Sequence, residues 1–251
     1  MTTKEALYNY VLRLADDNLI LAQRLAEWCS CGPILEEDLA MTNISLDLLG
    51  QAEDFYECAS EINNEKSVDE LAFLRSEREY FNHLLVEQSN GDFACSMMRQ
   101  MLYAGYAKHL YEALLNSRDE KIVALATKGL KEVKYHFRHS SEWIIRFGKG
   151  TEESNVRTQD AINELWRYTD DLFEMNETDK VLITQSIGFS LKDIYPLWKA
   201  EVSHVLDTAN LTIPELGNVI TGGINGMHTE YLGHILAEMQ FLQRAHPGAK
   251  W

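Results

Sequence analysis

Apolar residues recur along the N-terminal part of the chain at alternating spacings of four and three, the period that places side chains on one face of an α-helix. A first helix is predicted over about residues 4–30, and Asn18 is the single polar member of its apolar stripe. Gly32 and Pro33 then suit the end of one helix and the first turn of the next. Because this connection is short, the first two helices are predicted to be antiparallel neighbours.

The second predicted helix covers about residues 34–62 and carries apolar residues around much of its girth. One stripe contains Leu48 and Gln51. A second apolar row consists of Leu35, Leu39, Leu46 and Leu49. A helix with apolar residues on two sides is expected to be buried on more than one side, so part of this surface is a candidate contact with another subunit.

The helical period continues through the rest of the chain. Short pieces are expected at 71–74 and 79–86, long helices at 93–116 and 120–146, and later helices at 159–175, 191–208 and 227–245. Only four prolines occur in 251 residues, which agrees with an all-α protein. Two antiparallel pairs of long helices with a long crossing over 63–92 predict a ferritin-like four-helix bundle with additional C-terminal helices. We expect one domain over residues 1–251.

Acidic side chains outnumber basic ones by a wide margin. The chain has 23 Lys and Arg against 39 Asp and Glu, a formal net charge of −16 at pH 7. A surface that binds nucleic acid or an anionic membrane needs clustered basic residues. The charge therefore predicts neither nucleic acid nor a membrane as a partner.

The sequence favours a cytoplasmic protein. Polar residues interrupt the N-terminal stretch, and no run of about 18 apolar residues occurs, so neither a signal peptide nor a transmembrane helix is expected. The four cysteines are Cys29, Cys31, Cys58 and Cys95, and they form no Cys-x-x-Cys pair. Free thiols in a reducing compartment are the simplest interpretation.

Ferritin-like bundles commonly hold two metal ions between a Glu on each of two helices and a Glu-x-x-His on each of the other two. The inward stripes of this chain carry other residues, namely Asn18 on the first helix, Leu48 and Gln51 on the second, and Val133 and His136 on the fourth. The third helix has no Asp or Glu between residues 92 and 112. One imidazole cannot hold a di-metal cluster. These residues predict no metal site, no cofactor and no catalytic residue in this chain.

Histidine-containing pairs also occur outside the predicted stripes. Glu201 and His204 form one Glu-x-x-His on a late helix, and without a second copy they are interpreted as a surface pair. Glu230 and His234 are interpreted as an i,i+4 pair on the last helix. His228 follows a glycine-rich turn, interpreted as a tight connection into the last helix because no strand precedes it and no Gly-Lys-Ser/Thr follows.

Six segments combine into a pattern more specific than the fold: LRLADDNLILAQRLAEWC, NISLDLLGQA, LLVEQSNGDFA, KEVKYHFRHSSEW, AINELWRYTDDLF and HTEYLGHILAEMQFLQR. From about residue 8 to residue 251, this pattern resembles the C subunits of the bacterial phenylacetyl-CoA epoxidase complex. The resemblance implies a non-catalytic, ferritin-like subunit of a monooxygenase that forms the ring 1,2-epoxide of phenylacetyl-CoA in aerobic phenylacetate catabolism. It implies a related A subunit with the di-iron centre as direct partner, and a flavin and iron–sulfur reductase as indirect partner.

A structural subunit is thus the leading hypothesis, with two alternatives. The first alternative is a metal-dependent ferritin-like oxidase with a non-standard ligand set around His136, completed by Asp47 or Glu132. The second is a subunit that helps to hold coenzyme A, for which Lys128, Lys131 and Lys134 are the available basic cluster, although a solvated helix face explains these lysines equally well. Self-association of the chain stays open.

Overall fold

The computed structural model describes residues 1–215 and 217–249, and the regular elements among these residues are all helical. In chain order the α-helices are α1 (Thr3–Ala26), α2 (Leu35–Ile62), α3 (Val68–Phe73), α4 (Leu84–Glu87), α5 (Phe93–Leu114), α6 (Glu120–Gly148), α7 (Glu152–Leu165), α8 (Glu177–Thr184), α9 (Leu191–Thr208), α10 (Glu230–Met239) and α11 (Phe241–Ala245). Within the described ranges, no helix is long and apolar enough to cross a membrane.

The chain forms two compact units. The first unit comprises Met1–Ser89, Asn176–Val181 and Gly222–Trp251, and the second comprises Asn90–Met175 and Leu182–Thr221. Each contains one pair of long helices, α1 with α2 and α5 with α6. These are the elements of a ferritin-like fold, so the predicted all-α, ferritin-like class is confirmed. A single domain over residues 1–251 stays a prediction.

In the first unit, α1 packs along α2 as an antiparallel hairpin. The start of α1 is fixed by a capping box in which the Thr2 hydroxyl accepts from the Glu5 N–H and the Glu5 carboxylate accepts from the Thr2 N–H. Ser45 on α2 donates to the Ala22 carbonyl, whereas residue 56, farther along α2, bonds residue 16, earlier on α1. The residue numbers therefore run in opposite directions along the two helices.

The first helix ends at Ala26, four residues earlier than predicted. A series of tight turns follows, in which Ser30 adopts a left-handed conformation with φ of 67°. Such a residue cannot continue an α-helix. Gly32 then passes so close to the start of α2 that an added Cβ would lie 2.7 Å from the Asp38 Cα. The chain reverses here because residue 32 has no side chain.

The second unit is built around α5, which packs against α6, α7 and α9. Asp92 caps α5 by accepting from the Cys95 N–H at 2.9 Å, and Asp119 caps α6. Phe93 at the start of α5 contacts Trp143 near the end of α6, so these helices are also antiparallel. On α9, the buried Trp198 indole donates to the Leu102 carbonyl of α5 at 3.0 Å.

The predicted helix bounds are confirmed within two residues for α2, α5, α6 and α9. Other predictions were wrong. The piece predicted at 79–86 is a 3₁₀ turn at Glu77–Glu79 followed by α4. The helix predicted at 159–175 is α7, which starts at Glu152 because Thr151 caps it, followed by 3₁₀ turns up to Phe173. The helix predicted at 227–245 begins only at Glu230 and continues as α10 and α11.

Candidate functional site

In the first unit, the stripe positions that would carry metal ligands are buried and uncharged. Asn18 on α1 is 1% exposed, and its amide donates to the Leu14 carbonyl at 2.7 Å. Leu48 and Gln51 on α2 are buried as well. Asn18 and Gln51 are thus both buried, as their positions on the apolar stripes predict.

In the second unit, Val133 and His136 on α6 are both buried, as the phase of the stripe predicts. The buried side chains of α5 include three polar ones, Ser96, Arg99 and Gln100. The Arg99 guanidinium donates to the Asn90 side chain at 2.6 Å, and the Gln100 amide has no hydrogen-bond partner among the described residues.

This donor set does not fit a di-iron centre. The five stripe residues offer two amides, two aliphatic side chains and one imidazole, with no carboxylate to bridge two metals and offset their charge. Across residues 1–215 and 217–249, no three His, Cys, Asp or Glu side chains are grouped as a metal site.

The buried charges of the first unit lie elsewhere, and the first centres on Asp16 of α1. The Arg75 guanidinium binds both carboxylate oxygens of Asp16. The Tyr56 hydroxyl and the Phe81 N–H also donate to this carboxylate, at 2.6 and 2.9 Å. Burial would lower the pKa of Arg75, but the facing Asp16 carboxylate outweighs burial and raises that pKa. The guanidinium also lies 4.1 Å from the ring centre of Tyr80. Asp16 thus holds α2 and the segment 75–81 to α1.

Two further carboxylates of the first unit are buried, one against a histidine and one against an arginine. Asp17 accepts from the backbone N–H of His83 at 2.7 Å and lies 2.8 Å from its Nδ1. Arg13 forms a two-pronged pair with Asp179 of α8, at 2.5 and 3.1 Å. Burial would raise the pKa of Asp179, but Arg13 outweighs it and the pKa is lowered. Both pairs tie α1 to segments far away in sequence.

The fourth buried carboxylate, Glu87, receives the loop that precedes α10. His228 Nδ1 lies 2.9 Å from Glu87, and the N–H and hydroxyl of Thr229 donate to its other oxygen at 2.6 and 2.7 Å. His228 Nε2 faces the Tyr80 carbonyl at 2.9 Å, which can only accept, so Nε2 is the donor of this hydrogen bond. Burial would lower the pKa of His228, but the hydrogen bond and charge of Glu87 outweigh it and raise that pKa.

Comparison with known proteins places the chain in a family. The whole chain, residues 1–251, matches the family described as phenylacetic acid catabolic protein. It is also 46% identical to the C subunit of 1,2-phenylacetyl-CoA epoxidase from Escherichia coli (strain K12), over 96% of this chain and 98% of that protein. The chain belongs to the phenylacetic acid catabolic protein family.

Sequence reasoning missed the four buried carboxylates of the first unit, Asp16, Asp17, Glu87 and Asp179. A usable signal for Asp16 and Asp17 was their position, because the residues three and four positions farther along α1 are Leu19, Ile20 and Leu21, so neither aspartate lies on a polar helix face. Each of the four accepts hydrogen bonds from cations or neutral donors of the first unit. Buried and paired in this way, the carboxylates join segments rather than leave an acid or base open to a substrate.

One of the two histidine pairs predicted outside the stripes is arranged differently, and the pair Glu230 with His234 stays a prediction. Glu201 binds Lys108 and lies 2.9 Å from His109 Nε2, both on α5, whereas His204 is exposed. The pairing predicted between residues 201 and 204 is therefore wrong, because α9 turns the carboxylate towards α5. The glycine-rich turn is a tight connection, as predicted: an added Cβ at Gly226 would lie 2.5 Å from the Arg78 carbonyl.

Proposed function

We propose that this chain is the non-catalytic structural subunit of a 1,2-phenylacetyl-CoA epoxidase, which pairs with and stabilises a di-iron catalytic subunit. The observation that carries the proposal is the combination of an intact helical architecture with ligand positions occupied by residues that cannot hold iron, such as Leu48 and Val133. The relative that is named as the C subunit of this epoxidase supports the same role.

In this role the chain contributes a folded helical surface to the complex and no catalytic residue. The buried stripes keep the long helices packed. Asp16, Asp17 and Asp179 fix α1 to its surrounding segments, and Glu87 holds the loop that precedes α10. The catalytic A subunit holds the di-iron centre and is the direct partner. A reductase delivers electrons to that subunit and contacts this chain at most indirectly, and the complex acts in the cytoplasm.

The test is reconstitution. The purified chain is mixed with the catalytic subunit of the same operon, the mass of the mixture is followed by light scattering, and epoxidation of phenylacetyl-CoA is assayed with and without the chain. We expect a stable complex and higher activity with the chain present. A chain that stays separate at micromolar concentration, or a catalytic subunit fully active and stable alone, contradicts the proposal.

Two measurements distinguish the proposed function from its rival, an oxidase built around His136. We expect no stoichiometric iron or manganese in the isolated chain after growth in iron-supplemented medium. We also expect His136→Ala and His136→Gln to leave turnover of the assembled complex nearly unchanged. A loss of more than about a hundredfold with assembly intact would favour the rival, since losing a catalytic acid or base has effects of that size.

A further inference from the structure

Helix α2 presents an apolar row on the side opposite to its buried face. Leu35, Leu39 and Leu46 are 71%, 55% and 59% exposed. At 100° per residue their directions fall within about 40° of arc, and the buried positions Ile44 and Leu48 point roughly 180° away. Three leucines aligned along one helix are a patch rather than scattered exposed residues.

The same face continues as an acidic stripe. Glu53 and Glu57, both exposed, point within the same 40° arc as the leucines. Helix α2 as a whole carries eight acidic residues and no Lys, Arg or His, which is half of the formal net charge of −16. From Leu35 to Glu57 the stripe extends over about 33 Å, the length of a complete helix contact.

We propose that this stripe, Leu35, Leu39, Leu46, Glu53 and Glu57, docks a helical face of the catalytic subunit that sets apolar side chains against the leucines and Lys or Arg against the glutamates. The inference rests on the proposed function for the identity of the partner. A second copy of this chain fits poorly, because pairing α2 with α2 brings together two helices whose charged residues are all acidic. Complementary charge favours a basic partner and rejects like copies.

The experiment measures the affinity of the full chain for the catalytic subunit. Leu39→Asp and Leu46→Asp are expected to raise Kd at least a hundredfold, because a charge replaces an apolar contact at the centre of the interface. Leu197→Asp, at a leucine of α9 that is 57% exposed, is the matched control and is expected to change Kd less than threefold. Circular dichroism and Tm establish that each variant is folded.

The contribution of the two glutamates is tested with two double variants, each of which changes two acidic residues four positions apart. Glu53→Lys/Glu57→Lys is expected to weaken binding at least tenfold at low salt, and less at high salt because the interaction is screened. Asp160→Lys/Glu164→Lys, two exposed acids four residues apart on α7, changes net charge equally and is expected to leave Kd within threefold.

The outcomes separate the two proposals. If the wild-type chain binds and the α2 variants bind equally well, the docking surface is wrong and the structural-subunit function stands. If the wild-type chain does not bind the catalytic subunit, both are wrong. If Leu39→Asp instead abolishes self-association of the chain alone, α2 docks a second copy and the assignment to the catalytic subunit is overturned.

Discussion

The two compact units are stabilised by different kinds of contact. In the first unit, buried carboxylates meet buried cations, as in the pair Asp16 with Arg75, whose side chains are 0% and 2% exposed. In the second, aromatic rings form the centre: Trp198 lies 5.7 Å from Trp166 and 5.0 Å from Phe173, between ring centres. The first unit therefore depends on individual partners and on pH, whereas the second depends on filled volume.

Removing one partner of a buried pair should have the largest effect. Arg75→Met is expected to lower the free energy of unfolding by about 3–5 kcal/mol, because it leaves the Asp16 carboxylate buried without its cation. Guanidinium denaturation at pH 7 measures the loss. In the Asp16→Asn background the same substitution should cost much less. Equal costs in both backgrounds would mean that the two side chains are not coupled.

A volume change in the second unit should cost less and should not depend on pH. Trp198→Phe is expected to lower the free energy of unfolding by about 2–3 kcal/mol, through the lost ring volume and the lost bond to the Leu102 carbonyl. Denaturation at pH 6 and at pH 8.5 should give the same difference from wild type. A pH-dependent difference would show that charge also controls this unit.

The His228 contact with Glu87 should add a pH dependence to the first unit. Because the folded-state pKa of His228 lies above its unfolded value of 6.5, its contribution is fully present below about pH 6.5 and is lost as pH rises through the folded pKa. His228→Gln is expected to cost about 1–2 kcal/mol at pH 6 and less at pH 8.5. Denaturation of wild type and variant across this pH range measures the cost. A cost that grows with pH would contradict a raised folded-state pKa of His228.

The smallest effect is expected for an ion pair near the surface of the second unit. The side chains of Lys108 and Glu201 are 13% and 32% exposed, so solvent weakens their attraction. Lys108→Met is expected to lower the free energy of unfolding by at most about 1 kcal/mol. A loss comparable to that of Arg75→Met would remove the distinction between buried and partly exposed pairs.

Much of the local structure was predictable because it depends on neighbours in sequence. The period of apolar residues located α2, α5, α6 and α9, and the phase of the stripes placed Asn18 and His136 in the interior. Errors arose where a local backbone conformation or a distant contact decided a helix end. The turns that contain the left-handed Ser30 follow an α1 that ends at Ala26, and the residues before α10, His228 and Thr229, bind Glu87 instead of joining the helix.

By itself, the sequence determined the helical class, the identity of the residues on the inward stripes, and the two apolar sides of α2, because helical geometry relates residues three and four apart. Only the tertiary structure decided which charges meet. Arg75 reaches Asp16 across 59 residues, and His228 reaches Glu87 across 141. No periodicity encodes such partners, since they become neighbours only when the packing of the helices brings distant segments together and burial makes each lone charge costly.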